Sequence, residues 1–402
     1  MIGAPLDCDV AAAKSAAAAA VEAHADGLIE VAHRLHAQPE LMFQEYFAAA
    51  LLADRLEQGG LEVSRGAFGL PTAFVARSGE DNPGPCIAVM CEYDALPGIG
   101  HGCGHNVIAA AGLGAGLGAA AVVGACGGRL VVLGTPAEEG GGGKVLMMER
   151  GALDGVDAAM MIHPAAVDLT EPEVLAITTF RVEYRGVAAH AAASPWLGRN
   201  ALDAAVLGYN AVAALRQHIA PTERIHGVFT EAGEKPNIVP DRAVAEWYVR
   251  SSTTAALAVL AERVRNALQA GASAAGCEMV CQPLGPDYAE LVTNAALMDL
   301  YRTNSAAVGR PVAQPDSTTR LMASTDAGNV SLAVPTIHPL VKIAPDGVSL
   351  HSADFAQWSV SAAADRAIVE SAKAMAMTMI DVWMVPGSAE AVRRAFDSPA
   401  PA

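Results

Sequence analysis

The sequence predicts an α/β protein in which a mixed, largely parallel sheet forms one domain and a smaller α+β domain is inserted into it. Short apolar runs alternate with helical segments up to about residue 165, as is typical of parallel sheets covered by helices. From residue 175 the order becomes strand–helix–strand–strand–helix–strand, which fits a small α+β unit. A chain of 402 residues also exceeds one ordinary core, so two domains are expected.

The N-terminal elements are predicted to be helices followed by short strands. Residues 11–37 carry apolar side chains at helical spacing, and Pro39 ends that pattern. A second helix is predicted over residues 40–56, and it ends before Gly59 and Gly60. Strands are predicted next over residues 61–63, 71–76 and 86–90.

For residues 107–126, a membrane span is an alternative to a buried helix. They are 20 residues without a charge, which is long enough to cross a bilayer. However, Gly and Ala account for 13 of the 20, and glycine weakens a helix that packing does not support. A buried, closely packed helix is therefore predicted here, and no membrane partner is expected.

The remaining elements divide between the two domains. In the first domain, strands are predicted over residues 129–133 and 158–162, with a helix over 144–150. The inserted domain is predicted to contain elements over residues 175–184, 200–218, 225–230, 243–250, 255–275 and 277–283. The chain then returns to the first domain with helices predicted over 285–309 and 353–384, and short strands and turns over 316–351.

Charge and cysteine content limit the partners and the location. The 43 acidic residues outnumber the 26 basic ones, the formal net charge is −17, and the basic residues form no run. This pattern argues against nucleic acid, because phosphate binding needs clustered Lys and Arg. Seven cysteines spread over a large chain indicate intracellular thiols. The N-terminal residues lack the basic start of a signal peptide, so a cytoplasmic protein is expected.

The loop from Met90 to Asn106 is dense in side chains that bind metals. Among its glycines it carries Glu92, Asp94, His101, Cys103 and His105. Further candidates lie downstream at Glu138, Glu139, His163 and His351. Most of these residues follow a predicted strand, and functional groups of parallel sheets collect at the carboxyl ends of strands. The sequence therefore predicts one site assembled from distant segments.

This residue set fits a hydrolytic site with paired metals. Such a site needs several hard or borderline donors together with a base that is free of the metal. Adjacent glutamates normally point apart. At a bent strand end, one of Glu138 and Glu139 can bind a metal while the other takes a proton from water and returns it to a leaving amine.

Taken one at a time, these residues have simpler interpretations. Cys103 could be a buried structural thiol, and Glu138 with its neighbour could be an acidic pair at a helix N-terminus. His163 could cap a strand, and His351 could lie in a surface turn. A nucleophilic pair of Cys103 and His105 is a further alternative, although no histidine here has a clear orienting partner.

Four motifs occur in this chain in a fixed order. They are Cys-Gly-His-Asn at 103–106, Pro-Ala-Glu-Glu-Gly-Gly-Gly-Gly at 136–143, Met-Ile-His-Pro at 161–164 and His-Ser-Ala-Asp-Phe at 351–355. Their order resembles that of the M20 family of metallopeptidases and amidohydrolases. Within its amidohydrolase branch, which also holds aminoacylase-like enzymes, the loop at 92–106 is most similar to the aminobenzoyl-glutamate hydrolase type. The resemblance covers nearly the whole chain after about residue 20.

The resemblance implies a phosphorylase/hydrolase-like catalytic, metal-binding domain over residues 1–173 and 285–402. It also implies two divalent metal ions, with Glu138 as the general base and acid. The implied ligands are Cys103, His105, Glu139, His163 and His351. Cys103 would stand where other branches use a bridging Asp, and Asp94 would orient a ligand imidazole. Zinc suits this donor set best, with manganese or cobalt as alternatives.

Residues 174–284 resemble the family's ferredoxin-like lid and dimerisation domain. His190 would steady the oxyanion in the active site of the partner subunit, which implies a homodimer with lids that close over both sites. Asn237 and Arg250 would hold the terminal carboxylate of the substrate.

The implied function is hydrolysis of the amide bond of a small molecule: an N-acyl or N-aroyl amino acid, or a dipeptide, with a free carboxylate. Two alternatives remain open: a cysteine-dependent hydrolase that uses Cys103, and a non-catalytic ligand-binding protein on the same fold. The sequence assigns no role to Glu92, His101 or Asp326.

Overall fold

The computed structural model describes residues 9–314 and 322–398, which fold into two compact units. The first unit contains the chain up to residue 173 and from residue 291, and the second contains residues 174–290. The sequence predicts the return to the first unit at 285, and in the structure the first unit resumes at 291. The segment before 291 stays with the second unit because Tyr288 exchanges backbone hydrogen bonds of 2.9 and 3.0 Å with Ile177.

The strands, in chain order, are β1 (Glu62–Arg65), β2 (Phe74–Ser78), β3 (Cys86–Glu92), β4 (Arg129–Thr135), β5 (Ala158–Met160), β6 (His163–Ala165), β7 (Glu173–Val174), β8 (Ala176–Arg185), β9 (Arg224–Glu231), β10 (Arg242–Ser251), β11 (Glu278–Pro283), β12 (Met322–Ala323), β13 (Thr336–Ile337) and β14 (Leu340–Lys342).

The α-helices are α1 (Val10–Ala23), α2 (Ala25–Ala37), α3 (Tyr46–Gln58), α4 (His105–Ala120), α5 (Val123–Cys126), α6 (Gly143–Met148), α7 (Ala201–Leu215), α8 (Thr254–Ala275), α9 (Ala295–Ala307), α10 (Ala327–Ala333), α11 (Ala353–Trp358), α12 (Ala362–Met384) and α13 (Ser388–Asp397).

The first unit is built on a six-stranded sheet with the order β1-β2-β4-β3-β5-β13. Strand β3 lies in the middle and runs parallel to both β4 and β5, and β13 runs parallel to β5. Strands β1 and β2 complete the sheet as an antiparallel edge. The predicted mixed, largely parallel sheet is therefore confirmed.

Glycine lets helix α4 lie close to this sheet. Every residue of β3 is buried, and so is α4 from its start to Ala119. A Cβ atom at Gly112 would lie only 2.6 Å from Cys91 Sγ on β3, so a larger residue would push the helix off the strand. The predicted buried helix is confirmed as far as Ala120, and residues 123–126 form the separate short helix α5. Within residues 9–314 and 322–398, no helix has the length and apolar character needed to cross a membrane.

The second unit is an antiparallel sheet with the order β11-β8-β10-β9. Helix α7 follows the first of these strands in the chain and α8 follows the third, and the two helices pack on each other and on the sheet. Phe180 and Trp247 on neighbouring strands contribute to the core between these layers. This order of strands and helices is the ferredoxin-like arrangement expected from the sequence.

The helix predicted over residues 40–56 begins only at Tyr46. Its first residues instead form a turn in which Phe43 has a φ of +60°, a value that a helix does not allow. The carboxylate of Glu40 accepts hydrogen bonds from the backbone N–H groups of Phe47 and Ala48, at 3.0 and 2.9 Å. Glu40 therefore caps the helix from outside and does not belong to it.

Four other segments differ from the prediction. The helix predicted over 11–37 is two helices, α1 and α2, which meet at His24. Residues 285–294 are not helical, because Asn294 caps α9 by accepting a hydrogen bond from Leu297 N. The single helix predicted over 353–384 is two helices, since Ser361 caps α12 in the same way. Helix α10 falls within the stretch expected to hold short strands and turns, and residues 316–321 of that stretch lie outside the described residues.

Candidate metal centre

Candidate ligands lie where three neighbouring parallel strands end. Asp94 follows β3, Glu138 and Glu139 follow β4, and His163 follows β5 after a short break. Because β4, β3 and β5 are adjacent and parallel, their carboxyl ends meet at one edge of the sheet. The fold thus brings together side chains that are up to 69 residues apart in sequence.

His105 is oriented by a carboxylate. Its Nδ1 atom lies 3.0 Å from Asp94 Oδ1, so Nδ1 carries the proton and donates it to Asp94. The other oxygen of Asp94 accepts a hydrogen bond from the backbone N–H of Glu139 at 2.9 Å. In the neutral imidazole this leaves the lone pair on His105 Nε2, which is buried and has no hydrogen-bond partner within the described chain. Asp94 raises the pKa of His105 despite its burial, so a cation bound at Nε2 would replace a proton there. Carboxylate-bound imidazoles of this kind are typical of metal sites.

His163 also has its Nε2 atom available as a metal ligand. Its Nδ1 atom lies 2.8 Å from the carbonyl oxygen of Pro164, which can only accept, so Nδ1 carries the proton. Nε2 therefore holds a lone pair, and it lies 3.5 Å from Cys103 Sγ. Burial lowers the pKa of His163 to about 3, which keeps the imidazole neutral as a metal ligand requires.

The candidate ligands form two groups that share one sulfur atom. One group is Cys103 with His105 and His163, and the other is Cys103 with Glu139 and His351. Within each group the ligand atoms all lie within 4.8 Å of one another, as the ligands of one ion must. Two of these atoms, His105 Nε2 and Glu139 Oε1, are buried and have no hydrogen-bond partner among the described residues. The residues present therefore fit two metal ions, and Cys103 would be a ligand common to both.

The backbone around these ligands adopts uncommon conformations. Gly104 has a φ of +78°, and a Cβ atom there would lie 2.5 Å from Pro164 Cγ. Ala137 and His351 have φ values of +58° and +60°, which non-glycine residues seldom adopt. Such strain persists only where the surrounding structure enforces it, and it is concentrated at functional sites.

Glu138 lies beside these groups but outside the two that share Cys103. One of its carboxylate oxygens is 3.8 Å from His105 Nε2, and its side chain is buried. Burial raises the pKa of Glu138 well above its usual range, and the negative charges of Glu92 and Glu139 raise it further. A buried carboxyl group with a raised pKa suits a residue that takes and returns a proton.

Cys103 is fully buried, and burial followed by the charge of Glu139 raises the pKa of its thiol. In the absence of a cation this thiol stays protonated, whereas a cysteine nucleophile needs a lowered pKa. The raised pKa does not favour a cysteine nucleophile, even though His105, which Asp94 orients, lies beside the thiol.

A buried lysine lies behind the site. The Nζ atom of Lys144 is 2.5 Å from Glu92 Oε1 and 2.5 Å from Asp326 Oδ1, and all three side chains are almost fully buried. The two carboxylates raise the pKa of Lys144 despite its burial. Glu92, His105 and Glu138 also form a compact group of possible metal ligands. The ammonium group of Lys144 already supplies a positive charge to Glu92 there.

Two buried residues near the candidate ligands, Lys144 and His338, are not predicted from the sequence. Lys144 is predicted only as the start of a helix, and a buried lysine has no sequence pattern of its own. His338 follows β13, and its ring centroid lies 5.5 Å from that of His163. The position of a lone histidine after a short apolar strand, as at His163, is the one available signal.

His101 takes no part in the ligand groups. Its Nε2 atom lies 3.1 Å from the carbonyl oxygen of Leu35, and its ring stacks on His36 with centroids 6.4 Å apart. This histidine thus joins the loop of the metal centre to the end of α2.

Three sequence-predicted residues belong to the second unit. His190 Nδ1 accepts hydrogen bonds from the backbone N–H groups of Ala192 and Ala193, at 3.2 and 3.0 Å. A neutral His190 therefore carries its proton on Nε2. Asn237 is exposed, and its backbone carbonyl oxygen accepts a hydrogen bond from the backbone N–H of Ala191 at 3.0 Å. Arg250 on β10 is half-buried, and burial lowers the pKa of its guanidinium.

The fold and the two ligand groups fit the class of metal-dependent hydrolases that act on amide or peptide bonds. A family model described as peptidase family M20/M25/M40 matches residues 88–356. The chain belongs to this family of metallopeptidases and amidohydrolases.

Relatives agree with this assignment. The chain is 37% identical over 396 residues to the Xaa-Arg dipeptidase of Mus musculus, covering 95% of this chain and 92% of the relative. It is 35% identical over 253 residues to one of the p-aminobenzoyl-glutamate hydrolase subunits of Escherichia coli (strain K12), covering 58% of this chain and 52% of the relative. Among solved structures, the Bacillus subtilis YXEP protein, described as a dinuclear metal binding peptidase from the M20 family, superposes with a TM-score of 0.63. That similarity, at 19% identity over 87% of this chain and 98% of the other, concerns the fold.

Proposed function

We propose that this protein is a dinuclear metal-dependent dipeptidase or amidohydrolase that cleaves an amide bond next to a free α-carboxylate. The observation that carries the proposal is the position of Cys103 Sγ, which belongs to both three-residue ligand groups. A single shared ligand atom would hold two cations close together, as paired hydrolytic metals must be.

The ligands of the pair are His105 and His163 on one side of Cys103, and Glu139 and His351 on the other. Thiolate, imidazole and carboxylate donors suit zinc best, and manganese or cobalt also accept this set. When bound, two such cations supply a water molecule of lowered pKa and a polarised substrate carbonyl. The hydrogen bonds from His105 to Asp94 and from His163 to Pro164 O hold both rings in the ligand orientation.

Glu138 moves the proton in the proposed reaction. It takes a proton from the attacking water and gives it to the nitrogen of the leaving amine, so that water and amide become a carboxylate and an amine. Asp94 holds His105 through one oxygen and the backbone of Glu139 through the other, and so fixes the loop on which Glu138 lies.

The second unit is proposed to recognise the substrate. Arg250 lies on β10 and is half-buried. A guanidinium binds a carboxylate through two parallel hydrogen bonds, so Arg250 would hold the free carboxylate of the substrate. Asn237 would support the same group. His190, with its proton on Nε2, would donate to the oxyanion in the partner subunit of a homodimer.

Dipeptides are the first substrates to consider, and N-aroyl amino acids the second. Support comes from the names of the relatives: a dipeptidase that aligns with nearly the whole chain, and an aminobenzoyl-glutamate hydrolase that aligns with about half of it. A dipeptide and aminobenzoyl-glutamate each end in an amino acid with a free carboxylate, which is the group that Arg250 is proposed to bind.

A hydrolysis screen tests this proposal. Metal-reconstituted protein is assayed against dipeptides, N-acetyl amino acids and N-benzoyl amino acids by detection of the released amino acid. Glu138→Gln should retain its metal and its fold but lose about 10²- to 10⁴-fold in kcat. Glu149→Gln, at an exposed position on the same segment, is the matched control and should keep full activity. Near-normal activity of Glu138→Gln would refute the mechanism, and chelator-resistant activity lost on thiol alkylation would favour a cysteine hydrolase.

A further inference from the structure

His338 occupies the turn between β13 and β14, at the same edge of the sheet as the candidate ligands. The next residue, Pro339, accepts a hydrogen bond through its carbonyl oxygen from the backbone N–H of His163 at 2.9 Å. The backbone thus ties this turn to a proposed ligand, and the rings of His338 and His163 lie 5.5 Å apart at an angle of 36°.

The side chain of His338 has no identified role in stabilising the fold. It is only 4% exposed, and neither ring nitrogen has a hydrogen-bond partner among the described residues. A neutral imidazole always has one N–H to donate and one lone pair to offer. Nearly all buried polar atoms are paired, and those left unpaired destabilise the fold. A buried imidazole with two unpaired nitrogens therefore indicates a partner that belongs to the working enzyme.

The surroundings of His338 narrow the nature of this partner. Its charged and titratable neighbours are Glu92, Lys144, His105 and His163, which act on it through space and make no hydrogen bond to it; the ring also interacts with the backbone of His338 itself. Lys144 already compensates Glu92. His338 also belongs to neither of the ligand groups that share Cys103. The hydrogen-bond partner of His338 is therefore expected to be a molecule that enters the candidate metal centre beside His163 and carries a polar atom.

We propose that His338 is a substrate-contacting residue whose ring N–H donates a hydrogen bond to the oxygen that becomes anionic as the amide is attacked. This inference rests on the proposed hydrolytic function, and it adds a donor within the first unit to the one proposed for His190. A donor aimed at developing negative charge acts mainly on kcat, because the charge is absent from the bound ground state.

Two variants test this role. His338→Phe keeps a ring but removes both polar nitrogens, and His338→Gln keeps a donor. His24→Phe, at an exposed position in the same unit, is the matched control. Removal of an unpaired polar group should leave the melting temperature of the metal-free His338→Phe protein unchanged or higher. The metal content should equal that of the wild type, kcat should fall about 100-fold with KM changed less than about threefold, and His338→Gln should recover part of kcat.

Binding of an uncleaved phosphinic dipeptide analogue separates this inference from the proposed function. The tetrahedral anion of the analogue should bind at least about tenfold more weakly to metal-loaded His338→Phe than to the wild type. Unchanged kcat and unchanged analogue binding would overturn the role of His338 alone. A lower melting temperature of the metal-free variant, or a loss of metal, would assign His338 to the fold or to the ligands instead. A wild type that neither cleaves dipeptides nor binds the analogue would overturn both proposals.

Discussion

Replacement of Lys144 by methionine should destabilise the metal-free protein strongly. Methionine keeps most of the apolar length of the side chain and removes only the ammonium group. That group lies 2.5 Å from an oxygen of Glu92 and 2.5 Å from an oxygen of Asp326, and Lys144 is 1% exposed. The substitution therefore leaves two buried carboxylates without the cation that they share.

The expected loss follows from this geometry. Removing one partner of a buried ion pair typically costs about 3–5 kcal/mol. Asp326 retains one hydrogen bond, from the backbone N–H of Lys144 at 2.9 Å, while Glu92 has no hydrogen-bond partner among the described residues apart from the ammonium group of Lys144 that the substitution removes. We therefore expect the free energy of unfolding to fall by about 3–5 kcal/mol, a large part of the roughly 5–15 kcal/mol of a typical domain.

Lys342→Met provides the matched control for Lys144→Met. Lys342 also pairs with an aspartate, Asp346, but that carboxylate lies at the surface. Loss of such a pair should cost at most about 1 kcal/mol. Urea unfolding of both metal-free variants, followed by circular dichroism, measures the difference. If the two variants differ by less than about 1 kcal/mol, Lys144 does not compensate two buried charges, and the description of the network is wrong.

Two further predictions concern the loop of the metal centre. Asp94→Asn should keep the fold but weaken metal affinity about 10- to 100-fold, because an amide nitrogen cannot accept the hydrogen bond from Glu139 N. Competition with a chromogenic chelator measures this affinity. An unchanged affinity would show that Asp94 does not support the metal centre. Gly104→Ala should lower the free energy of unfolding by at least about 2 kcal/mol, since the new methyl group adds a clash with Pro164 to the cost of a positive φ. Gly98→Ala is the control, because Gly98 has a φ of +74° but a Cβ atom there would meet no atom within 4 Å. It should lose only the backbone cost of a positive φ, about 1–2 kcal/mol. An equal loss in both variants would show that Pro164 moves aside and that the clash costs nothing.

The sequence predicted the central sheet well for a physical reason. Strands β3, β4 and β5 are short apolar runs buried on both faces, and polar residues that follow such strands must lie at their ends. Asp94, Glu138 and the residues next to them could therefore be placed at one edge before any contact was known. The order of strands within the sheet then brings these ends together.

The errors arise where a distant contact decides the local structure. Glu40 has good helix propensity, but its carboxylate caps α3 from outside the helix. Lys144 begins a short helix, yet its role depends on Asp326, which lies 182 residues away. His338 acquires significance only because β13 pairs with β5 and so places its turn beside His163. None of these contacts has a local sequence signal.

Metal stoichiometry tests the central claim most directly. Protein reconstituted with zinc and then dialysed is analysed by mass spectrometry for the wild type, for Cys103→Ala and for Cys277→Ala, a control in the second unit. Because Cys103 is proposed to bind both ions, the wild type and Cys277→Ala should each retain two equivalents, and Cys103→Ala should retain less than about one. A wild type that holds less than about one equivalent, or a Cys103→Ala variant that still holds two, would contradict a dinuclear centre joined by this thiolate.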